Sequence, residues 1–158
     1  MNGFVKRGLV LLVIAALALA CAGCGAPKDK AYAAKEKFKL NDNTFALEKW
    51  MRKPDMDSGS KKAYDLCLLM VGDDVPVIIN GANMTSGVNV AFALGEDTVD
   101  AGTVGYQHNV DVPGYGVRAS FTLQLPEGSE LPQSAELYDV SNKEKRVALN
   151  LSGLTVEE

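Results

Sequence analysis

Residues 117–125, VRASFTLQL, alternate between apolar and polar side chains over their whole length. A period of two predicts a β-strand with one buried face and one face in water. Residues 64–71, YDLCLLMV, are apolar at almost every position and are interrupted only by Asp65. A short run that is apolar on both faces indicates a strand in the middle of a sheet.

Four further short runs are rich in β-forming residues and are bounded by turn-forming residues. They are residues 75–79 (VPVII), 88–94 (VNVAFAL), 135–140 (AELYDV) and 146–151 (RVALNL). Pro76 has no amide hydrogen to donate, so we expect it at the start or the edge of its strand. The segment SNKEK between the last two runs predicts a hairpin loop.

Two regions are harder to interpret. Residues 44–53 have the sequence TFALEKWMRK. They are compatible with a helix that has Leu47, Trp50 and Met51 on one side and ends at Pro54, and they are also compatible with a strand. Its β-rich neighbours favour the strand. Residues 98–116 are rich in Gly, Val and Tyr, and they predict one irregular strand and a long loop.

Seven or eight short strands and no convincing helix predict an all-β fold. Short strands separated by Gly and Pro turns are typical of an antiparallel β-sandwich. The length of the chain suits one such domain.

The beginning of the chain has the pattern of a secretory signal peptide. Lys6 and Arg7 precede the apolar residues 8–20, GLVLLVIAALALA. A helix that spans a membrane needs about 20 apolar residues, so this stretch alone is short for a permanent anchor.

The residues that follow resemble the lipobox of bacterial lipoproteins, in which small residues precede a cysteine that is acylated and becomes the new N-terminus. Ala22 and Gly23 precede Cys24, whereas residues 18–20 (ALA) precede Cys21. The resemblance favours Cys24 as the lipidated residue, with Cys21 as the second candidate. Ordinary cleavage at the ALA motif, which releases the protein, is the alternative. Two acyl chains give the stable membrane attachment that one chain does not.

These patterns divide the chain into a signal peptide (1–23), a lysine-rich tether (24–40) and a β-sandwich domain (41–158). With Cys24 acylated and Cys21 removed, Cys67 is the one remaining thiol. No disulfide is then available to hold the domain together, so its core has to do so.

Charge separates the tether from the domain. Residues 24–40 have five lysines and two acids, a net charge of +3, whereas residues 41–158 have 9 basic and 18 acidic side chains, a net charge of −9. The negative domain argues against nucleic acid as a partner. The lysines of the tether suit anionic lipid. Residues 63–117 have no Lys or Arg, which suits a cation, a basic partner or merely solvated loops.

The order of elements resembles the immunoglobulin-like (telokin-like) domains of Gram-positive cell-envelope lipoproteins. The resemblance rests on KFKLNDNTFALEKW as a first strand and on the later FTLQLPEGSELPQSAELYD segment, within residues 37–151. It implies an immunoglobulin-like β-sandwich and brings no catalytic residues. The Cys, Trp and Cys spacing of antibody domains is missing.

Candidate binding residues cluster in GYQHNVDVPGYG, where Tyr106 and Tyr115 flank His108, the sole histidine. Exposed aromatic side chains on loops are frequent at recognition surfaces. His108 also suggests a hydrolase if the fold brings it to Asp111 and to a nucleophile such as Ser120, although no nucleophile-elbow motif is present.

The segment PDMDSGS resembles the start of a calcium loop through Asp55 and Asp57. An EF-hand needs Gly at its sixth and Glu at its twelfth position, which are Ser60 and Leu66 here. A calcium site of another kind, built from the loop carboxylates of Asp73, Asp74, Glu96 and Asp97, is an alternative. The sequence therefore leaves metal binding unknown. No zinc-ligand spacing and no phosphate-binding glycine loop occurs, and no cofactor is indicated.

The sequence thus predicts a lipid-anchored protein on the extracytoplasmic side of the cell membrane. We expect a non-catalytic module that binds an envelope protein, a peptide or a glycan. A small hydrolase that uses His108 and a structural subunit of an envelope complex are the alternatives.

Overall fold

A computed structural model describes residues 30–158, so the predicted signal peptide, Cys21 and Cys24 lie outside the described residues. Within them there are twelve strands, one 3-10 turn at Pro54–Met56 and no α-helix. The strands are β1 (Lys37–Leu40), β2 (Asn43–Arg52), β3 (Lys61–Met70), β4 (Val77–Asn80), β5 (Asn83–Ser86), β6 (Val88–Leu94), β7 (Asp97–Asp100), β8 (Thr103–His108), β9 (Val117–Pro126), β10 (Ser134–Asp139), β11 (Asn142–Asn150) and β12 (Val156–Glu157).

The strands form two main sheets and one separate hairpin. The larger sheet has the order β1-β2-β3-β9-β8, and β12 also pairs with β2; the smaller has the order β11-β10-β6-β7; β4 and β5 pair with each other. All neighbours are antiparallel except β12 and β2. The prediction of an all-β, antiparallel β-sandwich is confirmed.

One hydrophobic core lies between the two main sheets. The apolar residues of β9 alternate into it as predicted, and from Val117 to Leu125 each is at most 3% exposed. Trp50 of the larger sheet packs against Phe92 of the smaller sheet, with ring centroids 5.7 Å apart. Burying such large rings is the main source of stability for a domain whose described residues contain no disulfide.

A β-bulge at Glu48 explains why residues 44–53 resembled a helix. Leu47 pairs with Leu68 and Lys49 with Cys67, so that Glu48 is an extra residue in β2. An extra residue shifts the alternation by one position. Leu47 and Trp50 therefore both face the core although they are three apart, which is a helical spacing. The prediction of a strand here is confirmed.

Four strands are absent from the sequence-based prediction because they are short or polar. They are β1, β5, β7 and β12, and most of them lie at sheet edges. The irregular strand predicted within residues 98–116 is β8. The region 98–116 accordingly holds the end of β7, all of β8 and a loop at 109–116. The predicted SNKEK loop is also different, since the turn is at Val140 and Ser141 and β11 already begins at Asn142.

The packed part of the chain begins before residue 41, the predicted start of the domain. Tyr32 makes a parallel bridge to Leu149, and Phe38 and Leu40 of β1 are buried. Lysines 37 and 39 alternate with these two residues, so the lysine-rich composition concealed a short amphipathic strand.

Asp139 links the two main sheets at one end of the sandwich. Its carboxylate accepts hydrogen bonds from the Asn41 amide (2.8 Å) and from the Ser141 hydroxyl (2.5 Å) and backbone N–H (2.7 Å). The bonds from Ser141 and Asn41 lower the pKa of Asp139 to about 2. Because the folded pKa is below the ordinary value, this group stabilises the protein above pH 4 or so, and the contribution is lost as the pH falls towards 2.

We therefore expect Asp139→Asn to lower the free energy of unfolding at pH 7 by about 1–3 kcal/mol, as for other hydrogen bonds to a charged acceptor. The difference from wild type should shrink between about pH 4 and pH 2. Urea unfolding at several pH values measures both effects. Asp42→Asn, an exposed neighbour, is the control, and an equal loss in both variants would contradict the role of Asp139.

Candidate functional site

A groove lies on the face of the larger sheet that is turned away from the core. Its volume is about 310 Å³, and its lining is mainly apolar. The lining residues are Lys35, Ala46, Leu47, Glu48, Leu69, Val112 and Tyr115. Ala46 and Leu69 are direct cross-strand partners on β2 and β3, and they form the floor. Both are buried although they face away from the core.

The backbone of Lys35 forms one wall in an unusual conformation. Its φ is 66°, a region that side chains other than Gly, Asn and Asp rarely adopt. A turn from Ala33 to Glu36 holds it there, because the Glu36 N–H donates to the Ala33 carbonyl (3.2 Å) and the Glu36 carboxylate accepts the Ala33 N–H (3.0 Å). The Lys35 N–H donates to the Leu47 carbonyl (3.0 Å). Strained residues held by their surroundings are concentrated at functional sites.

The bulge residue Glu48 forms a second wall. Both of its carboxylate oxygens accept hydrogen bonds from Arg118 of β9 at 2.6 Å, and Arg118 also donates to the Gln107 side chain at 3.0 Å. The side chains of Glu48 and Arg118 are only 16% and 14% exposed. A bidentate pair with little exposure is rigid, and its charges cancel at the groove.

The loop 109–116 forms the third wall and carries Tyr115. Asn109, with a φ of 56°, begins the loop, and the Tyr115 N–H donates to the Val112 carbonyl (3.1 Å). The Lys37 ammonium group lies 5.3 Å from the centroid of the Tyr115 ring, within the range of a cation–π interaction. The ring is half-buried, so one part of it remains available.

Of the three predicted binding residues, only Tyr115 lies in this groove. Tyr106 is the cross-strand partner of Ala119, a core residue, so it faces the interior. Its hydroxyl shares a hydrogen bond with the Ser86 hydroxyl (2.7 Å) and also donates to the Pro76 carbonyl (3.4 Å). Burial raises the pKa of Tyr106. It acts as a structural link to the β4–β5 hairpin.

His108 is exposed at the end of β8 and does not join Tyr115. It pairs with Val117, which faces the core, whereas Tyr115 lies over the opposite face of the sheet. Ser120 pairs with Gly105 and Cys67 and so also lies on the face away from His108. His108 and Ser120, the suggested base and nucleophile, therefore project from opposite faces of the sheet.

The carboxylates proposed for calcium do not assemble either. Asp57 binds Arg52 through two hydrogen bonds (2.7 and 2.5 Å), which lower the pKa of Asp57 to about 2. Asp73 and Asp74 lie in the loop after β3, whereas Glu96 and Asp97 lie at the turn between β6 and β7 of the other sheet. Among residues 30–158, no three His, Cys, Asp or Glu side chains converge in a way that holds a metal ion.

Cys67 is a buried thiol on the face of the larger sheet that is turned away from the core. It is fully buried, and burial raises its pKa to about 11. A thiol that stays protonated at neutral pH is a poor nucleophile.

A larger cleft of about 370 Å³ lies between the ends of the two sheets. Two of its polar side chains already have partners: the Thr122 hydroxyl donates to Asp65 (2.6 Å), and the Gln124 amide donates to the Met56 carbonyl (2.9 Å). The Tyr115 groove is therefore the better candidate site.

Comparisons with protein-family models, with curated proteins and with solved structures gave no significant match. In the part of the chain that the structure describes, no helix has the length and apolar character needed to cross a bilayer.

The sequence reasoning identified Tyr115 but missed Lys35, Glu48, Leu69 and Val112. The break in alternation at Glu48 is a usable signal, since it marks a bulge, and bulges often lie beside functional sites. Lys35 gave no signal, because it lies among other lysines in a segment interpreted as a solvated tether.

Gly116 holds the Tyr115 loop against the loop after β3. A Cβ atom at this position would lie 2.5 Å from the Gly72 carbonyl oxygen and against the Asp73 carboxylate. We expect Gly116→Ala to lower the free energy of unfolding by about 1–3 kcal/mol, the usual cost of overpacking. Thermal unfolding measures the effect. The control is Gly105→Ala, where nothing lies within 4 Å, and equal losses in the two variants would contradict the close approach.

Proposed function

We propose that this protein is a lipid-anchored, extracytoplasmic binding module, and that the Tyr115 groove is its recognition site. It binds without catalysing a reaction. One observation carries the proposal: two backbone irregularities, the positive φ of Lys35 and the bulge at Glu48, border a single apolar groove. Such features weaken a regular sheet, and they are found together where a surface serves a purpose beyond folding.

The size and lining of the groove define the chemical group that fits. A volume of about 310 Å³ is at the lower end of ligand pockets, which suits one ring or one large side chain. Leu69, Val112 and Tyr115 provide apolar contact, while Lys35 also lines the groove and the Lys37 ammonium group lies near the Tyr115 ring. An apolar side chain of an envelope peptide or the apolar face of a sugar ring meets these requirements.

The proposal of a membrane anchor rests on the sequence of residues 1–24. The charged n-region, the apolar stretch and the small residues before Cys24 are the features of a lipoprotein signal. Because the segments KFKLNDNTFALEKW and FTLQLPEGSELPQSAELYD resemble those of Gram-positive envelope lipoproteins, we also propose that the β-sandwich is of the immunoglobulin-like kind found there.

Lipidation at Cys24 is testable by labelling. In an expressing bacterium given radioactive palmitate, we expect wild type and Cys21→Ala to incorporate label and Cys24→Ala to incorporate none, because the thiol is the acyl acceptor. Label lost only in Cys21→Ala would move the site to Cys21. An unlabelled wild-type protein that is found free in the medium would contradict the anchor and support cleavage after residue 20.

Recognition by the groove is testable by thermal shift, since a ligand of the native state raises the melting temperature. The probes are soluble oligosaccharides, short apolar peptides, and calcium with and without EDTA. We expect a shift with one of the first two classes, and we expect Tyr115→Ala to weaken that binding by about tenfold or more, as truncation of a central aromatic contact does.

His108→Ala is the matched control, because His108 is exposed and lies over the other face of the sheet. It should bind the same probe as wild type does. A shift that depends on His108 and not on Tyr115 would contradict the groove, and hydrolysis of a probe that His108→Ala abolishes would establish the enzyme alternative.

A further inference from the structure

The β4–β5 hairpin presents an apolar face to solvent. Its register pairs Ile79 with Met84, and Val77 lies two residues before Ile79, so these three side chains project from one side. We call them the hairpin face. Ile79 is 72% exposed, Met84 70% and Val77 43%.

This exposure is unusual for the described residues. Seven large apolar side chains are exposed there, and three of them form the hairpin face. Two more, Val71 and Val140, lie at the same end of the sandwich, where the Val140 N–H donates to Gly87 just after β5. Clustered exposed apolar residues on a folded domain mark an interaction surface.

The base of the hairpin is fixed, which distinguishes it from a loose loop. The Gly87 N–H donates to the Pro76 carbonyl (2.7 Å), and the Tyr106 hydroxyl binds both strands through Ser86 and Pro76. A Cβ atom on Gly87 would lie 3.1 Å from the Pro76 carbonyl carbon, so the two backbones approach closely here. Because the base is tied to the core, the hairpin face is presented in one orientation, and little entropy is lost when it binds.

The charge of the segment that contains the hairpin indicates the chemistry of the partner. Residues 63–117 contain no Lys or Arg, and the hairpin lies within this segment. Asp73 and Asp74 are exposed and lie in the loop that leads into β4. An apolar surface with acidic neighbours complements an apolar surface with basic neighbours.

We propose that the hairpin face docks a partner protein through an apolar patch of that protein that is rimmed by Lys or Arg. A second copy of this chain fits less well, since a two-fold contact brings the same acidic loops together. An anionic membrane is repelled by the same carboxylates. This docking surface is separate from the Tyr115 groove and goes beyond the function proposed above.

The test uses two labelled amphipathic peptides of equal length and leucine content, one with lysine and one with glutamate at the polar positions. The protein is the full chain as recovered from expressing cells, in neutral-lipid nanodiscs if it is membrane-bound and in buffer if it is released. Fluorescence anisotropy measures binding. We expect the lysine peptide to bind and the glutamate peptide to bind about tenfold or more weakly.

Two variants locate the contact. Ile79→Ser with Met84→Ser should weaken the lysine peptide by about tenfold or more, because both side chains are exposed in the free protein and are buried only on binding. Asp73→Asn with Asp74→Asn should weaken the binding of the lysine peptide and make that binding less sensitive to salt. Val99→Ser with Val156→Ser removes exposed apolar side chains elsewhere and should change nothing.

Several results would overturn the proposal. They are equal binding of both peptides, no binding of the lysine peptide, binding to empty nanodiscs alone, and unchanged binding by the Ile79 and Met84 variant at an unchanged melting temperature. A wild-type dimer in sedimentation that this variant dissociates would assign the hairpin face to a second copy instead.

Discussion

The extra residue in β2, Glu48, determines which side chains of that strand face the core and which face the outer surface of the larger sheet. Before Glu48, Phe45 and Leu47 face the core; after it, Trp50 faces the core although it is an odd number of residues further on. Without the bulge Trp50 would point to the outer face, and the packing of Trp50 against Phe92 of the other sheet would be lost. A one-residue change of register reverses every side chain that follows, so the core depends on this single insertion.

The same insertion shapes the outer face of the larger sheet. Because Glu48 is outside the regular ladder, its carboxylate reaches Arg118 across β3, and the Glu48 side chain, held by Arg118, lines one side of the groove. Core packing and groove geometry are therefore coupled through β2. A variant that removes the bulge is expected to affect both, which is why Tyr115, at the other side of the groove, is the better residue for testing recognition alone.

The sequence predicted those elements in which burial and alternation agree, and it missed those in which they do not. The runs at 88–94 and 117–125 were predicted correctly because one face of each is mostly buried. The irregular strand predicted within residues 98–116 is β8, but the pattern did not give its bounds, because it is an edge strand with Gly105 at its centre and polar residues at its ends. Tyr106 and Tyr115 looked equivalent in sequence, and only the pairing of β8 with β9 places one inside and one over the outer face. The Lys35 wall depends on a positive φ that a run of lysines does not reveal.

Residues 30–40 lie along the edges of both sheets. The linker between the sandwich and any lipid attached at Cys24 is therefore shorter than the 24–40 segment. Only the steps from residue 24 to residue 30 are left to span the gap, and fully extended chain covers at most about 20 Å in that number of steps. A longer free spacer would let the domain sample a wide shell above the bilayer. With this short one, a module anchored at Cys24 works next to the headgroups, so its ligands have to be present in the layer directly above the membrane.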